Sequence, residues 1–381
     1  MIVSFSILAV ITLSSMVVPL ARAQIASISV PNPPQEVAFD SANGNLYVTD
    51  YGRNGSSSVY GDKVSVISGS SNSVAATIGL GGKFGGPYGV AYDSSNNDIY
   101  VADYWDGTVS VISGATNTVL ATVNAGASPS GVGFDSSNGD VYVTNYGPGT
   151  VTVISGSTNQ VIATISIGSH TRPAGVAFDP SNGNVYISDG NAGKVSVISG
   201  STNTVVANVT VGSTPQDMAY DSANGDLYVA DSGGNAVTVI SGSTNAVVAT
   251  VSVGQGPWGV AFDSGNGNVY VSLSSGVSVI SGSNNAVVQT LQDNNGPNGL
   301  AYDANNGDIY VADFGTSSVS VIQGSSSPST STSPAPVTTS SSSGGGIPEF
   351  PLQFSAIALL TFAFVVAYAL TRRSAPVSIR R

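Results

Sequence analysis

The sequence predicts an all-β protein, a seven-bladed β-propeller closed by its own N-terminal strand, with a C-terminal transmembrane helix beyond it. Three observations carry that prediction. One segment, "AYDSANGDLYVAD" at 219–231, is one of seven copies that differ by small changes. The Asp that follows its first aromatic residue falls at 40, 93, 135, 179, 221, 263 and 303, so the intervals are 53, 42, 44, 42, 42 and 40 residues. Each unit also carries four strand signals, and four strands in about 42 residues is the size of one propeller blade.

The chain can be followed from its beginning. Residues 1–23 read as a signal peptide: an apolar run to Leu20, then Ala21-Arg22-Ala23 as a cleavage pattern. Without Lys or Arg in its first residues, the segment has an uncleaved anchor as its alternative. The segment 24–324 holds the propeller. "ASISVPNPP" at 26–34 matches "ATVSVGQGP" at 249–257, a fourth strand leading into the next blade. The seventh unit stops after "VSVIQG" at 319–324, one strand short, so the N-terminal strand is expected to complete it. Closure of that kind removes free sheet edges.

Within each unit the order is strand, turn, strand, loop, strand, turn, strand. Asn-Gly pairs stand in the first turn (43–44, 138–139, 182–183, 224–225, 266–267, 306–307), with Asn96-Asn97 as the one substitute, and they supply the positive φ of a tight hairpin. The strands are rich in Val, Ile, Thr and Tyr, and several are apolar on both faces, as stacked sheets require. The seven Asp are expected to bond backbone amides in the turn that follows. The Tyr at 47, 100, 142, 186, 228, 270 and 310 is expected to pack between blades.

Residues 325–347 are Ser, Thr, Pro and Gly almost throughout and cannot bury enough apolar surface to fold, so they read as a stalk. In 348–373, Leu352 to Leu370 gives 19 uncharged, mostly apolar residues, enough to span a membrane. Arg372 and Arg373 follow, which leaves 374–381 as a cytoplasmic tail and the propeller outside the cell. Pro348-Glu349-Phe350, the apolar span and the Arg pair resemble the PEF-type sorting signals of archaeal surface proteins. That resemblance implies processing by a membrane protease-transferase; a plain membrane anchor is the alternative.

Composition excludes several functions. Only 8% of residues are charged and there is no cysteine, so neither disulfides nor thiolate chemistry is available. Between Glu36 and Asp313 stand 21 acids against five bases, a balance of −16 that repels nucleic acid. His170 is the only histidine and excludes a multi-histidine copper site. Histidine-plus-glutamate lyase chemistry would need His170 with Glu36, the sole Glu of the propeller, and these belong to different blades. The five Asp at second-strand ends are oxygen donors of the calcium type. Facing one another across a channel, they stand too far apart for one ion, so no metal, cofactor or catalytic residue is expected.

The repeats are most informative where they disagree. The residue after the blade-opening Pro is Gln35, Tyr88, Ser130, Ala174, Gln216, Trp258 or Asn298. The second strand ends on Asp50, Asp103, Asn145, Asp189, Asp231, Leu273 or Asp313, and the next residue is Tyr51, Tyr104, Tyr146, Gly190, Ser232, Ser274 or Phe314. Aromatics thus occupy this last column on four adjacent blades, and Trp105 follows Tyr104. The blade-one loop, "YGRNGSSSVYGDK", is eight residues longer than its blade-two counterpart and falls in the same sector. The expected binding surface consists of Tyr51, Tyr88, Tyr104, Trp105, Tyr146, Trp258 and Phe314, with Asp50, Asp103 and Asp313 as acceptors. Apolar ring faces with directed hydrogen bonds suit sugars or polar chains. Asn54 and Asn208 head glycosylation sequons.

The region 24–324 resembles the YVTN-type seven-bladed propeller repeats of archaeal surface-layer and related exported proteins. The motif stands here as "LYVTD" (46–50), "IYVAD" (99–103), "VYVTN" (141–145), "VYISD" (185–189), "LYVAD" (227–231), "VYVSL" (269–273) and "IYVAD" (309–313). The resemblance implies a cell-surface, membrane-anchored interaction or structural module with a cell-envelope protein or glycan as partner. An exported propeller enzyme of lactonase or lyase type is the alternative.

Overall fold

The computed structural model describes residues 25–52, 61–168 and 171–324. The leader, Arg53 and Asn54, His170, the stalk, the Pro348-Glu349-Phe350 motif, the apolar span and the tail lie outside the described residues. Among the described residues no helix is long and apolar enough to cross a membrane.

Seven four-stranded antiparallel sheets follow one another along the chain. Six are contiguous: blade one spans 37–79, blade two 87–124, blade three 129–166, blade four 173–210, blade five 215–252 and blade six 260–292. Blade seven takes three strands from 297–322 and its fourth from the N-terminal strand Ile25–Ser29. That strand pairs from Ile25 opposite Ile322 to Ser29 opposite Ser318, so the ring is closed as the shortened seventh unit requires.

The core lies between blades. Second and third strands are buried almost throughout, and each apolar cluster joins two neighbouring sheets. In one of them Tyr100, Val109, Val111 and Val123 of blade two pack on Val141, Val143 and Ile154 of blade three. Burying a Val or Ile side chain stabilises by about 1.5–3 kcal/mol. No blade could gain that alone.

The repeated polar residues tie blade to blade. All seven Asp accept an amide hydrogen bond from two residues on, as in Asp135 with the Ser137 amide at 2.8 Å. The first turn is a four-residue loop in which only the second residue of the Asn-Gly pair takes a positive φ, and Asn97 does so at 61°. The Asn instead reaches outward: Asn138 Nδ2 donates to the Gly200 carbonyl of blade four at 3.0 Å. Beside it the Tyr142 hydroxyl donates to Asn203 Oδ1 at 2.7 Å. Asn203 lies in blade four's outer turn at φ 54°, so one Asn both adopts the turn and receives the neighbour's Tyr. Gly114, Gly156, Gly200, Gly242, Gly282 and Gly69 of these outer turns lie against the Asp carboxylate of the preceding blade, where a Cβ has no room.

Tyr270 breaks the pattern. Its hydroxyl accepts from Asn266 Nδ2 at 3.2 Å, but blade seven has no turn between third and fourth strands to receive it. There the third and fourth strands come from opposite ends of the described propeller instead of from one hairpin.

Candidate functional site

Five of the seven first strands begin with Pro and then bulge. In blade three, Pro129 pairs with Asn145 and Val132 with Val143, so Ser130 and Gly131 stand opposite Thr144 alone. The same shift occurs in blades two, four, five and seven. A bulge re-aims side chains and leaves an amide to satisfy. The second-strand hydroxyl satisfies it: Gly131 N donates to Thr144 Oγ1 at 2.7 Å, and Ser188 and Ser272 do the same for Gly175 and Gly259. The bulged residues line the ring's central channel.

At one end the channel opens into a mouth of about 480 Å³. Tyr51, Tyr88, Tyr104, Trp105, Tyr146 and Trp258 all line it. Tyr51 meets Tyr88 edge to face with centroids 5.3 Å apart, and Tyr88 lies 5.8 Å from Tyr104. Tyr104 meets Trp105 at 4.8 Å and Tyr146 at 6.3 Å. The Arg172 guanidinium sits 5.3 Å from the Tyr146 ring centroid. Burial among these rings pushes the Tyr88 phenol well up, so it stays a neutral donor.

The rim is pinned by backbone capture. The Asp106 carboxylate accepts amide hydrogen bonds from Lys83, Phe84 and Gly85, and Asp62 accepts from Gly81 and Gly82. Gly86, at φ 86°, lets that loop close on the Trp105 ring, where any Cβ would collide. Trp105 nevertheless remains 45% exposed.

Phe314 does not join the cluster. It is exposed on blade seven and is absent from the mouth lining. The three Asp expected as surface acceptors are inside the protein. Asp50 accepts from Ser65 at 2.9 Å, Asp103 from Ser110 at 2.7 Å, and Asp313 from Ser320 at 2.5 Å. All three are buried, because the strands flanking each second strand and the next blade cover its last residue as fully as the others. Desolvation pushes each carboxyl up to about 7. Asn208 is exposed on an outer strand and accepts from Ser196 at 3.0 Å. Among the described residues no group of three His, Cys, Asp or Glu side chains could hold a metal ion.

Behind the mouth the channel narrows to a cavity of about 190 Å³. One column of the repeat, Glu36, Gly89, Gly131, Gly175, Asp217, Gly259 and Gly299, supplies its first five members to the lining. Five of the seven are glycine because the inner strands crowd the axis; a Cβ at Gly131 would strike the Ala174 carbonyl. The two acids reach over the glycine sector of blades six and seven. Asp217 Oδ2 accepts from Val260 N at 3.0 Å, and the Glu36 carboxylate fills the space in front of Gly299. Desolvation raises Glu36 well above the usual carboxylate range, and the neighbouring Asp217 charge adds to it. Desolvation raises Asp217 as well. This pair was not among the expected site residues, although the column itself, glycine five times and acid twice, is visible in the repeat.

The NHL repeat family model matches residues 84–112 and 294–322, in each case the first three strands of one blade with the loop leading into them. These two segments match NHL repeats. Comparison with curated protein sequences returns no match. Among solved structures, the chain is similar to one titled Kuenenia stuttgartiensis Hydrazine Synthase, with 16% identity and a TM-score of 0.67. The alignment covers 78% of this chain and 97% of that one. At that identity the likeness shows the fold alone, and a fold of this kind hosts unrelated activities.

Proposed function

We propose that the protein is a binding propeller that docks a cell-envelope partner on the aromatic mouth of its channel. The observation that carries this reading is the contact of four tyrosine rings and Trp105 around one opening, facing Trp258 across it. Large aromatic side chains that stay partly exposed offer contact area at small entropic cost, and they dominate binding energy in many interfaces. NHL propellers generally mediate protein interactions, which favours a protein over a glycan as partner. In this reading the leader exports the chain, and the 348–373 segment anchors it, by sorting signal or plain span, so that the propeller stands outside the cell like the YVTN-type surface proteins it resembles.

The enzyme alternative has Glu36 and Asp217 in its favour, two carboxyls with raised affinity for protons inside a cavity. Perturbed acids of that sort occur at catalytic sites and in structural pairs alike.

The test is capture from envelope extracts by the full chain. Wild type should retain a partner that the Tyr104→Ala/Trp105→Ala variant loses at least tenfold, with the thermal midpoint of the propeller within about 2 °C, since surface substitutions away from the core change stability little. Equal capture by both proteins would remove the mouth from the account.

A further inference from the structure

The mouth and the inner cavity are continuous. Tyr88, Ser130, Ala174, Gln216 and Trp258 line both, so a group entering between the rings is led into the channel. Asp217 follows the mouth residue Gln216 directly in sequence, about 3.3 Å further along an extended strand, and Glu36 holds the same repeat position on blade one. Beyond them the wall is aliphatic, with Val37, Val90, Val132 and Val176. Entering from outside, a ligand meets aromatic faces, then two carboxylates, then an apolar floor. A cation suits this order, because the ring faces attract it and its charge offsets the desolvation that favours the neutral form of the two acids.

We propose that the channel receives the side chain of a lysine carried by the docked polypeptide, its ammonium held between Glu36 and Asp217 and its stem lying among the rings of the mouth. This rests on the mouth being the docking surface. The occupant is specified by shape and charge. A four-carbon stem spans the single strand step from rim to acids, and a compact ammonium directs three donors apart, toward carboxylates on two different blades. A guanidinium is a planar fork matched to one carboxylate, which this arrangement does not present. The glycines let the inner strands converge, so the two acids stand close to the axis of the ring. The one cation among the mouth residues, Arg172, is held on the Tyr146 ring. A propeller with 21 acids and five bases between residues 36 and 313 also favours a basic partner over an acidic one.

Calorimetric titration of the full chain with acetyl-Gly-Lys-Gly-amide tests the idea. Binding is expected for this peptide and at least tenfold weaker for its Nζ-acetyl-lysine and arginine counterparts. Glu36→Gln and Asp217→Asn should each abolish the preference for lysine over acetyl-lysine, while circular dichroism shows the β-structure unchanged. Should either variant fail to fold, Gly299→Ala, which places a methyl group against the Glu36 carboxylate, serves instead and should weaken the lysine peptide at least tenfold. Equal binding of the acetylated peptide, or an unchanged preference in the folded acid variants, would overturn the proposal. So would n-butylamine binding as tightly as the peptide, since that marks a site for free amines. Loss of envelope capture in Tyr104→Ala/Trp105→Ala without lysine selectivity would remove this inference alone and leave the mouth as the docking surface.

Discussion

Replacing Asp103 by Asn tests the buried carboxylates at the ends of the second strands. Asp103 is 4% exposed, accepts from Ser110 and Thr108, and has its other oxygen buried without a partner. Desolvation holds its pKa at about 7, against about 3.9 when the chain is unfolded. The folded state therefore keeps a proton that the unfolded state has lost. The stability this contributes is complete below about pH 4 and disappears as pH rises through 7. A three-unit gap corresponds to about 4 kcal/mol in full, of which about 2.5 kcal/mol is lost between pH 5 and pH 8. Asn has no proton to lose. Blade three already carries Asn145 at this position, with Nδ2 donating to Thr152 at 2.8 Å while that hydroxyl donates to the Ala125 carbonyl at 2.6 Å. Ser110 can turn in the same way. In urea unfolding at pH 5 and pH 8, the stability of Asp103→Asn relative to wild type should rise by about 2.5 kcal/mol at the higher pH. A change under about 0.5 kcal/mol, or one of opposite sign, would show that the buried carboxyl is ionised and stabilised in the fold.

Two further contrasts follow from the ring. Tyr142→Phe removes the hydrogen bond to Asn203 in the next blade and should cost about 1 kcal/mol, whereas Tyr270→Phe, whose hydroxyl reaches no outer turn, should cost less than half of that in the same urea assay. Ile28→Ala opens a cavity where the N-terminal strand seals blade seven, and Ile28 is only 7% exposed. It should cost about 2–4 kcal/mol, while Ile162→Ala on the outer strand of blade three, 51% exposed, should cost under about 0.5 kcal/mol.

Most of the fold was legible because the chain states it seven times. The period and the Val- and Tyr-rich strands gave blade number and strand order, and the shortened last unit pointed to closure by 25–29. The aromatic column was legible as well. Tyr51, Tyr104 and Tyr146 share one repeat position on three adjacent blades, and equivalent positions on adjacent blades are neighbours. Phe314 shares the position too, yet stands apart, since column membership fixes a backbone place and not the direction a side chain takes. Asp50, Asp103 and Asp313 were read as surface groups because they end strands beside loops. In a sheet covered on both faces that reasoning fails, and burial extends to the final residue. Glu36 and Asp217 were passed over for another reason. Their column is glycine on the other five blades, where the strands converge on the axis, so it carries no repeated polar signal. In the first turn, the role assigned to both residues of the Asn-Gly pair belongs to the second alone; the first Asn is used between blades.

A second surface competes with the mouth. The outermost strands leave Leu120, Ile162, Val206, Val248 and Val288 more than half exposed around the rim of the ring. Hydrogen–deuterium exchange on the full chain, with and without its captured envelope partner, separates the two directly. The account predicts new protection at 86–89, 104–106 and 256–259, the segments that carry Tyr88, Tyr104, Trp105 and Trp258. Protection confined to the outer strands, with these segments exchanging as in the free protein, would contradict it.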